Sequence, residues 1–173
     1  MDLLIESAGP IAIVATSPAL LDIEEAGVAG LCRTLGTAEP ASWPPDFNGQ
    51  DYRDWQRKLF AAHPDEPGYG GWYILGVGEL VGTCGFKGPP DTTGEVEIGY
   101  SVIEARRRRG FASGAVHLLT HRAFADPRVN SVAAETLPGQ LASQAVLTRC
   151  GFVLLGTRLD ARDGEVLRFE RKR

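Results

Sequence analysis

A mixed α/β (α+β) fold is what this sequence predicts, on three observations. Within residues 94–124 the apolar positions switch from a two-residue period to a three- and four-residue one. Two pairs of short β-branched runs, at 72–86 and 152–170, are each joined by a glycine-containing turn. Helical repeats fall between these runs and are not gathered at one end of the chain, as a sheet flanked by helices requires.

The elements follow in order. Residues 11–15 form a short β-branched run stopped by Thr16-Ser17-Pro18, and Ser17 with Pro18 caps and opens a helix running to about Gly36. Gly27 and Gly30 weaken that helix and break it in two. Residues 37–50 are a proline- and glycine-punctuated loop in which Trp43 plugs onto the core. Residues 51–62 read as a helix with Trp55, Leu59 and Phe60 as its core stripe, ended by His63-Pro64. Strands at 72–77 and 80–86 meet at Gly78-Glu79. The Gly76-Val77-Gly78…Gly82 run is not a dinucleotide fingerprint, because the spacing is long and a strand follows it. A strand over 129–136, a helix over 140–150 capped by Gly151, and strands over 152–159 and 165–170 about Asp163-Gly164 complete the chain.

The most informative stretch is 94–124, GEVEIGYSVIEARRRRGFASGAVHLLTHRAF. Val96, Ile98, Tyr100 and Val102 share one face of an extended segment, and Glu95, Glu97, Gly99 and Ser101 share the other. Ala112, Ala115, Val116, Leu119 and Ala123 then recur at helical spacing, so a helix starts near Gly110. A helix start offers unpaired N–H groups and the positive end of the macrodipole. Arg106, Arg107, Arg108 and Arg109 precede it, and Gly110 and Ala112 let a ligand approach the backbone. A phosphate-rich ligand is the simplest reading; a solvated basic turn is the alternative, disfavoured by the strand before and the helix after.

The chain has 173 residues, 43% of them hydrophobic and 23% charged, which fits one globular domain over 1–173. The net charge of −4 argues against general affinity for nucleic acid, so the arginine cluster is a local feature. No basic n-region with an apolar run and no span-length apolar segment occurs, so a cytoplasmic protein with no membrane partner is expected. Cys32, Cys84 and Cys150 lack paired-ligand spacing and read as reduced thiols. His117 and His121 stand four apart with no third ligand, so no metal site is expected. Charges in residues 1–54 are nearly all acidic, with Asp22, Glu24, Glu25, Glu39, Asp46, Asp51 and Asp54 against Arg33 and Arg53, which suggests a mouth for a cationic amine.

Arg107-x-x-Gly110-x-Ala112 after the Glu-Ile-Gly-Tyr strand resembles the acyl-CoA pyrophosphate loop of the GNAT N-acetyltransferase superfamily. Ala134-Glu135-Thr136, then Gln140-x-x-Ser143-x-x-Val146-Leu147 and Cys150-Gly151-Phe152, is similar to the ending of the branch that includes ribosomal-protein N-terminal acetyltransferases. The resemblance covers about the second half of the chain. It implies a mostly antiparallel central sheet with a splayed central strand pair, acetyl-CoA as acyl donor, an amine acceptor that is a small molecule or a protein N-terminus, and a homodimer as an assembly common in the superfamily.

On that resemblance the pyrophosphate meets backbone N–H groups of Gly110, Phe111, Ala112 and Ser113. Arg107, Arg108 and Arg109 add charge for it or for the 3′-phosphate, while Ser101, Val102 and Ile103 pair with the pantetheine and polarise the thioester carbonyl. Gln140 and Ser143 are further CoA contacts, with Gln140 standing where asparagine is usual. An ammonium with a pKa near 10.4 must lose its proton before attack. Glu97 is the first candidate base, with Glu95 and Glu135 behind it. Leu147 replaces the tyrosine that often serves as general acid, and Tyr100, Tyr73 or water could substitute. An N-acyltransferase acting by direct attack is the main expectation; a non-catalytic acyl-CoA sensor is the alternative.

Overall fold

The computed structural model describes residues 3–173. Its sheet has eight strands in the order β1-β2-β3-β4-β5-β6-β8-β7. They are β1 (Ile5–Ala8), β2 (Ile11–Ala15), β3 (Gly71–Gly76), β4 (Glu79–Phe86), β5 (Glu95–Val102), β6 (Ser131–Thr136), β7 (Val153–Asp160) and β8 (Gly164–Lys172). Every neighbouring pair is antiparallel except β5 and β6, which run parallel. A parallel pair needs a crossover, and α4 (Phe111–Ala125) supplies it.

Sequence periodicity carries over into packing. Val96, Ile98 and Val102 of β5 are buried with Val132 and Ala134 of β6, in one cluster with Ala115, Val116, Leu119 and Ala123 of α4. Burial of a Leu or Val side chain contributes about 1.5–3 kcal/mol, enough for this face to set strand register. On the opposite face, α1 (Pro18–Ala26) and α2 (Val28–Leu35) bring Leu20, Leu31 and Cys32 against Tyr73 and Leu80. The break falls at Gly27, which closes α1 and opens α2, and Ser17 caps α1 by accepting from the Leu20 N–H. Trp43 joins this second cluster and donates to Glu24 at 2.8 Å, so it anchors its loop as expected.

Several expectations need correction. β1 escaped the sequence reading; four residues with a mostly exposed pattern give no periodic signal. The β3–β4 turn falls at Val77-Gly78, with Val77 at φ 53° and Gly78 at φ 74°, one residue earlier than expected. A turn of 3₁₀ helix, Glu104–Arg106, was also missed. In α3 (Gln50–Ala62) the stripe of Trp55, Leu59 and Phe60 is only half-buried, and the residue that goes inside is Gln56. Its Oε1 accepts from the Thr16 hydroxyl at 2.6 Å and the Gly71 N–H at 2.9 Å, which satisfies a polar group that apolar patterning cannot locate. Cys32 and Cys84 are buried free thiols and Cys150 is half-buried.

Candidate active site

β5 and β6 separate part-way along. Their parallel ladder covers Glu95↔Ser131 to Ile98↔Ala134 and stops, although β5 continues to Val102 and β6 to Thr136. On its other side β5 stays paired with β4 through Val102. Ile103 N–H donates to Val81 O at 3.0 Å and Lys87 N–H to Glu97 O at 2.8 Å, so the odd-numbered residues of β5 spend their backbone groups on β4. Tyr100 and Val102 therefore turn theirs into the split. Of the residues expected to meet the pantetheine, Val102 turns its main chain into the split, as does Tyr100, whereas Ser101 and Ile103 turn theirs to β4.

The split leads to the start of α4. Arg108 at φ 62° and Gly110 at φ 86° are both left-handed, which turns successive N–H groups to one side. The first helical bond is Gly114 N–H to Gly110 O at 2.9 Å, and the N–H groups of residues 108–113 have no acceptor among the described residues. A side chain at Gly110 would meet open space but hold a strained backbone. The Phe111 ring packs against Gly76 and is buried, so this residue offers a ligand its N–H alone.

The arginines divide by role. Arg106 donates to Glu79 at 2.6 Å and ties the turn to β4. Arg107 donates to Val102 O at 3.0 Å and reaches Asp46 of the 37–49 loop at 2.6 Å, linking the split to that loop. Arg108 and Arg109 are exposed and without an acid partner among the described residues. Arg149, which the sequence reading missed, donates to Ser113 Oγ at 3.3 Å and adds a cation beside the loop. Only the docking of α5 (Leu141–Arg149) on α4 brings it there.

Ser143 and Tyr100 form a closed pair. The Tyr100 hydroxyl donates to Ser143 O at 2.9 Å and accepts from Ser143 Oγ at 2.9 Å. Burial pushes the Tyr100 phenol up to about 12, against the lowering effect of Ser143, so it stays protonated near neutrality. Gln140 turns back on its own chain, its Oε1 accepting from Leu137 N–H at 3.2 Å. Leu147 is fully buried in the core and serves packing.

The opposite sheet face carries the candidate bases. Register places Glu95, Glu97 and Gly99 of β5 on one face with Glu135 of β6 and Arg168 of β8. Every one of these carboxylates has a cation. Glu97 is paired with Lys87, at the end of β4, and Glu95 with Arg168. Glu135 takes both forks of Arg158 at 2.8 Å and Arg168 at 3.1 Å. Arg158 above all, then Arg168, holds the Glu135 carboxyl below the ordinary range against the opposing effect of burial. Glu135 is thus a hub of the network and a poor proton acceptor.

Most of the acids expected to form a cationic mouth are spent on neighbours, although Glu39 and Asp51 are exposed without a basic partner among the described residues. Arg57 binds Asp22 at 2.9 Å, Glu25 at 2.6 Å and Asp54 at 3.4 Å. Glu24 is buried and accepts from Trp43 and from the Tyr73 hydroxyl at 2.7 Å. Tyr73, its phenol raised by burial and then by Glu24, has its proton engaged there. His117 and His121 line a groove of about 270 Å³ with Phe124 and Arg171, away from the split. No group of three or more potential metal ligands occurs among the described residues.

Comparison with known proteins agrees with this fold. The chain is 29% identical over 126 residues, 70% of its length and 73% of the relative's, to the uncharacterized N-acetyltransferase YjdG of Bacillus subtilis (strain 168). Among solved structures it resembles RimL, a ribosomal L7/L12 alpha-N-protein acetyltransferase in complex with coenzyme A, with a TM-score of 0.69 at 20% identity over 99% of this chain and 98% of that one. It also resembles the microcin C7 self-immunity acetyltransferase MccE in complex with acetyl-CoA and AMP, with a TM-score of 0.70 at 14% identity over 96% and 94% of the two chains. The family model for the acetyltransferase (GNAT) domain matches residues 20–153, and the chain belongs to that family.

Proposed function

We propose that this chain moves the acetyl group of acetyl-CoA to a primary amine by direct attack while both are bound. The observation that carries the reading is the continuity of the split with the α4 start: main-chain groups of Tyr100 and Val102 turned into the split, with Val102 O held for now by Arg107, lead to unspent N–H groups of residues 108–113. A long ligand with an amide-bearing arm and a phosphate end matches that sequence of donors.

Phe111, Ala112 and Ser113 contribute N–H groups to the pyrophosphate, with Gly110 keeping the approach open. Arg108, Arg109 and Arg149 supply charge for the phosphates, and Arg107 can join them by leaving Val102 O. The Val102 N–H polarises the thioester carbonyl. Glu97 receives the proton of the amine, because Glu135 is committed to two arginines. Tyr100 is the candidate to steady the departing sulfur, and it would have to give up its bond to Ser143 O to do so; a thiol with a pKa near 8.5 leaves without a dedicated acid.

The acceptor is a small-molecule amine or a protein N-terminus. A structurally similar acetyl transferase of Salmonella typhimurium, which modifies the N-terminal serine of 50S ribosomal subunit protein L7/L12, supports the second class. The domain spans 1–173, works in the cytoplasm without nucleic acid, and pairs as a homodimer through the exposed edge strand β7, where Val153, Leu155 and Leu159 face solvent. No helix among the described residues is long and apolar enough to cross a membrane.

The test is acceptor-dependent release of CoA from acetyl-CoA across a panel of amino-acid amides, N-terminal peptides, polyamines and aminoglycosides. Turnover with at least one amine supports the reading. Acetyl-CoA binding without release for any of them would make the chain a binding module.

A further inference from the structure

We infer that the Thr136 hydroxyl is a catalytic group of this site, donating a hydrogen bond to the thioester sulfur as it leaves. The inference rests on the transferase reading given above. Its observation is an orphan: Thr136 is 4% exposed, and its Oγ1 is buried with no hydrogen-bond partner among the described residues. A buried hydroxyl left unpaired is unfavourable, and such a group in a folded protein points to a partner that arrives. Register says where that partner lies. The β5–β6 ladder ends at Ile98↔Ala134, so Tyr100 and Thr136 are the first residues beyond it on their shared face and flank the split from either side. Val132 and Ala134 precede Thr136 on that face and lie in the cluster that Tyr100 packs against. On its other side β6 is held by β8, with Thr136 opposite Leu167, so Thr136 is fixed as one wall of the split.

The two ends of the donor fix which atom comes there. With the phosphates at the start of α4, beyond Val102, the arm runs back along β5 and its far end, the thioester, reaches the narrow end of the split. The Tyr100 hydroxyl is already engaged with Ser143 as donor and as acceptor, whereas the Thr136 hydroxyl has no bond to give up. Rotation about χ1 turns it into the gap. The step balances as ordinary acyl transfer. The ammonium gives one proton to Glu97, which passes it to solvent. The nitrogen lone pair forms the C–N bond as the C–S pair leaves with sulfur, the second N–H proton follows through Glu97 to solvent, and CoA departs as a thiolate. Thr136 keeps its own proton throughout and shares it with the sulfur as negative charge builds there, so the bond is stronger in the transition state than in the bound thioester.

Two variants and two ligands test this. Thr136→Val replaces the unbonded hydroxyl by a methyl group, and Thr136→Ser keeps a hydroxyl. In single-turnover assays with an amine that wild type acetylates, Thr136→Val should lower the rate about 10–100-fold and Thr136→Ser should stay within about 3-fold of wild type. The Tm of Thr136→Val should not fall, because no partner within the protein is lost. Calorimetry at about pH 9, where a thiol with a pKa near 8.5 is mostly ionised, compares CoA with desulfo-CoA. Wild type should prefer CoA about 10-fold, and Thr136→Val should lose that preference. A lowered Tm or a failure to fold in Thr136→Val shows that the hydroxyl has a partner within the protein and overturns the inference. An unchanged rate in Thr136→Val, or a preference for CoA that is absent from wild type or retained in the variant, overturns it and leaves the transferase reading standing as long as wild type acetylates an amine. Wild type that binds no CoA and acetylates no amine brings both down.

Discussion

On the proposed reading, the donor side and the acceptor side of this site are built from different materials. The donor side is mostly main chain: a split between β5 and β6, two left-handed residues and a run of N–H groups at the start of α4. The acceptor side is side chains, each carboxylate already holding a cation: Glu97 with Lys87, Glu95 with Arg168, Glu135 with Arg158 and Arg168. A main-chain site is ready for its ligand because its donors have nothing else to bind. A salt-bridged face has to be opened, and its partners decide which acid is free to act. Substitutions should therefore fail differently on the two sides.

The largest effect belongs to Gly110→Trp. The left-handed position costs an L-residue about 1–2 kcal/mol of stability, while the indole covers N–H groups whose bonds to an anion are worth about 1.5–3 kcal/mol each, so acetyl-CoA affinity should fall about 100-fold or more. Calorimetry measures it, with a melting curve to show that the fold survives.

Glu97→Gln comes next, and on the acceptor side. Loss of a general base should lower kcat by about 10²–10³-fold while CoA affinity stays near wild type. Steady-state rates set against calorimetry separate the two; parallel loss of both would erase the contrast between the sides.

Glu135→Gln should act on stability before chemistry. The carboxylate is almost fully buried between two arginines, one of them half exposed, and its removal should cost about 1–2 kcal/mol, a Tm drop of about 2–8 °C. Because its folded pKa lies below the unfolded value of about 4.3, its contribution is complete above that pH and is lost as pH falls toward the folded value. Wild type should lose that increment of Tm on acidification, and Glu135→Gln should lack it. A kcat loss as large as that of Glu97→Gln would instead make Glu135 the base.

Arg108→Ala and Arg109→Ala should have the smallest effects, each weakening CoA by about 3–10-fold, because exposed charges are screened. The loss should shrink with added salt and be smaller for dephospho-CoA if the arginine meets the 3′-phosphate.

The same contrast explains what the sequence disclosed. The period change at 94–124 and the Arg-x-x-Gly-x-Ala spacing are local, and they located the split strand, the turn and the helix start. Gly27 and Ser17 likewise announced the break and the cap that they form. What stayed hidden depends on register between distant segments. No spacing rule brings Lys87 to Glu97, Arg149 to Ser113, or Arg158 and Arg168 to Glu135. Nor does periodicity alone say which alternate residues of β5 turn their main chain into the split, since that is settled by its pairing with β4. Most of the acids of residues 1–54 look like an open mouth only until Arg57 and Trp43 are placed among them.

The central claim is that the main chain at the start of α4 holds the acyl donor. Titration of acetyl-CoA into wild type and Gly110→Trp by calorimetry tests it most directly. The account predicts one-site binding to wild type and at least about a 100-fold loss in a variant that still unfolds cooperatively, with its Tm lowered only by the strain at position 110. Equal binding to both proteins, or no binding to wild type, would contradict it.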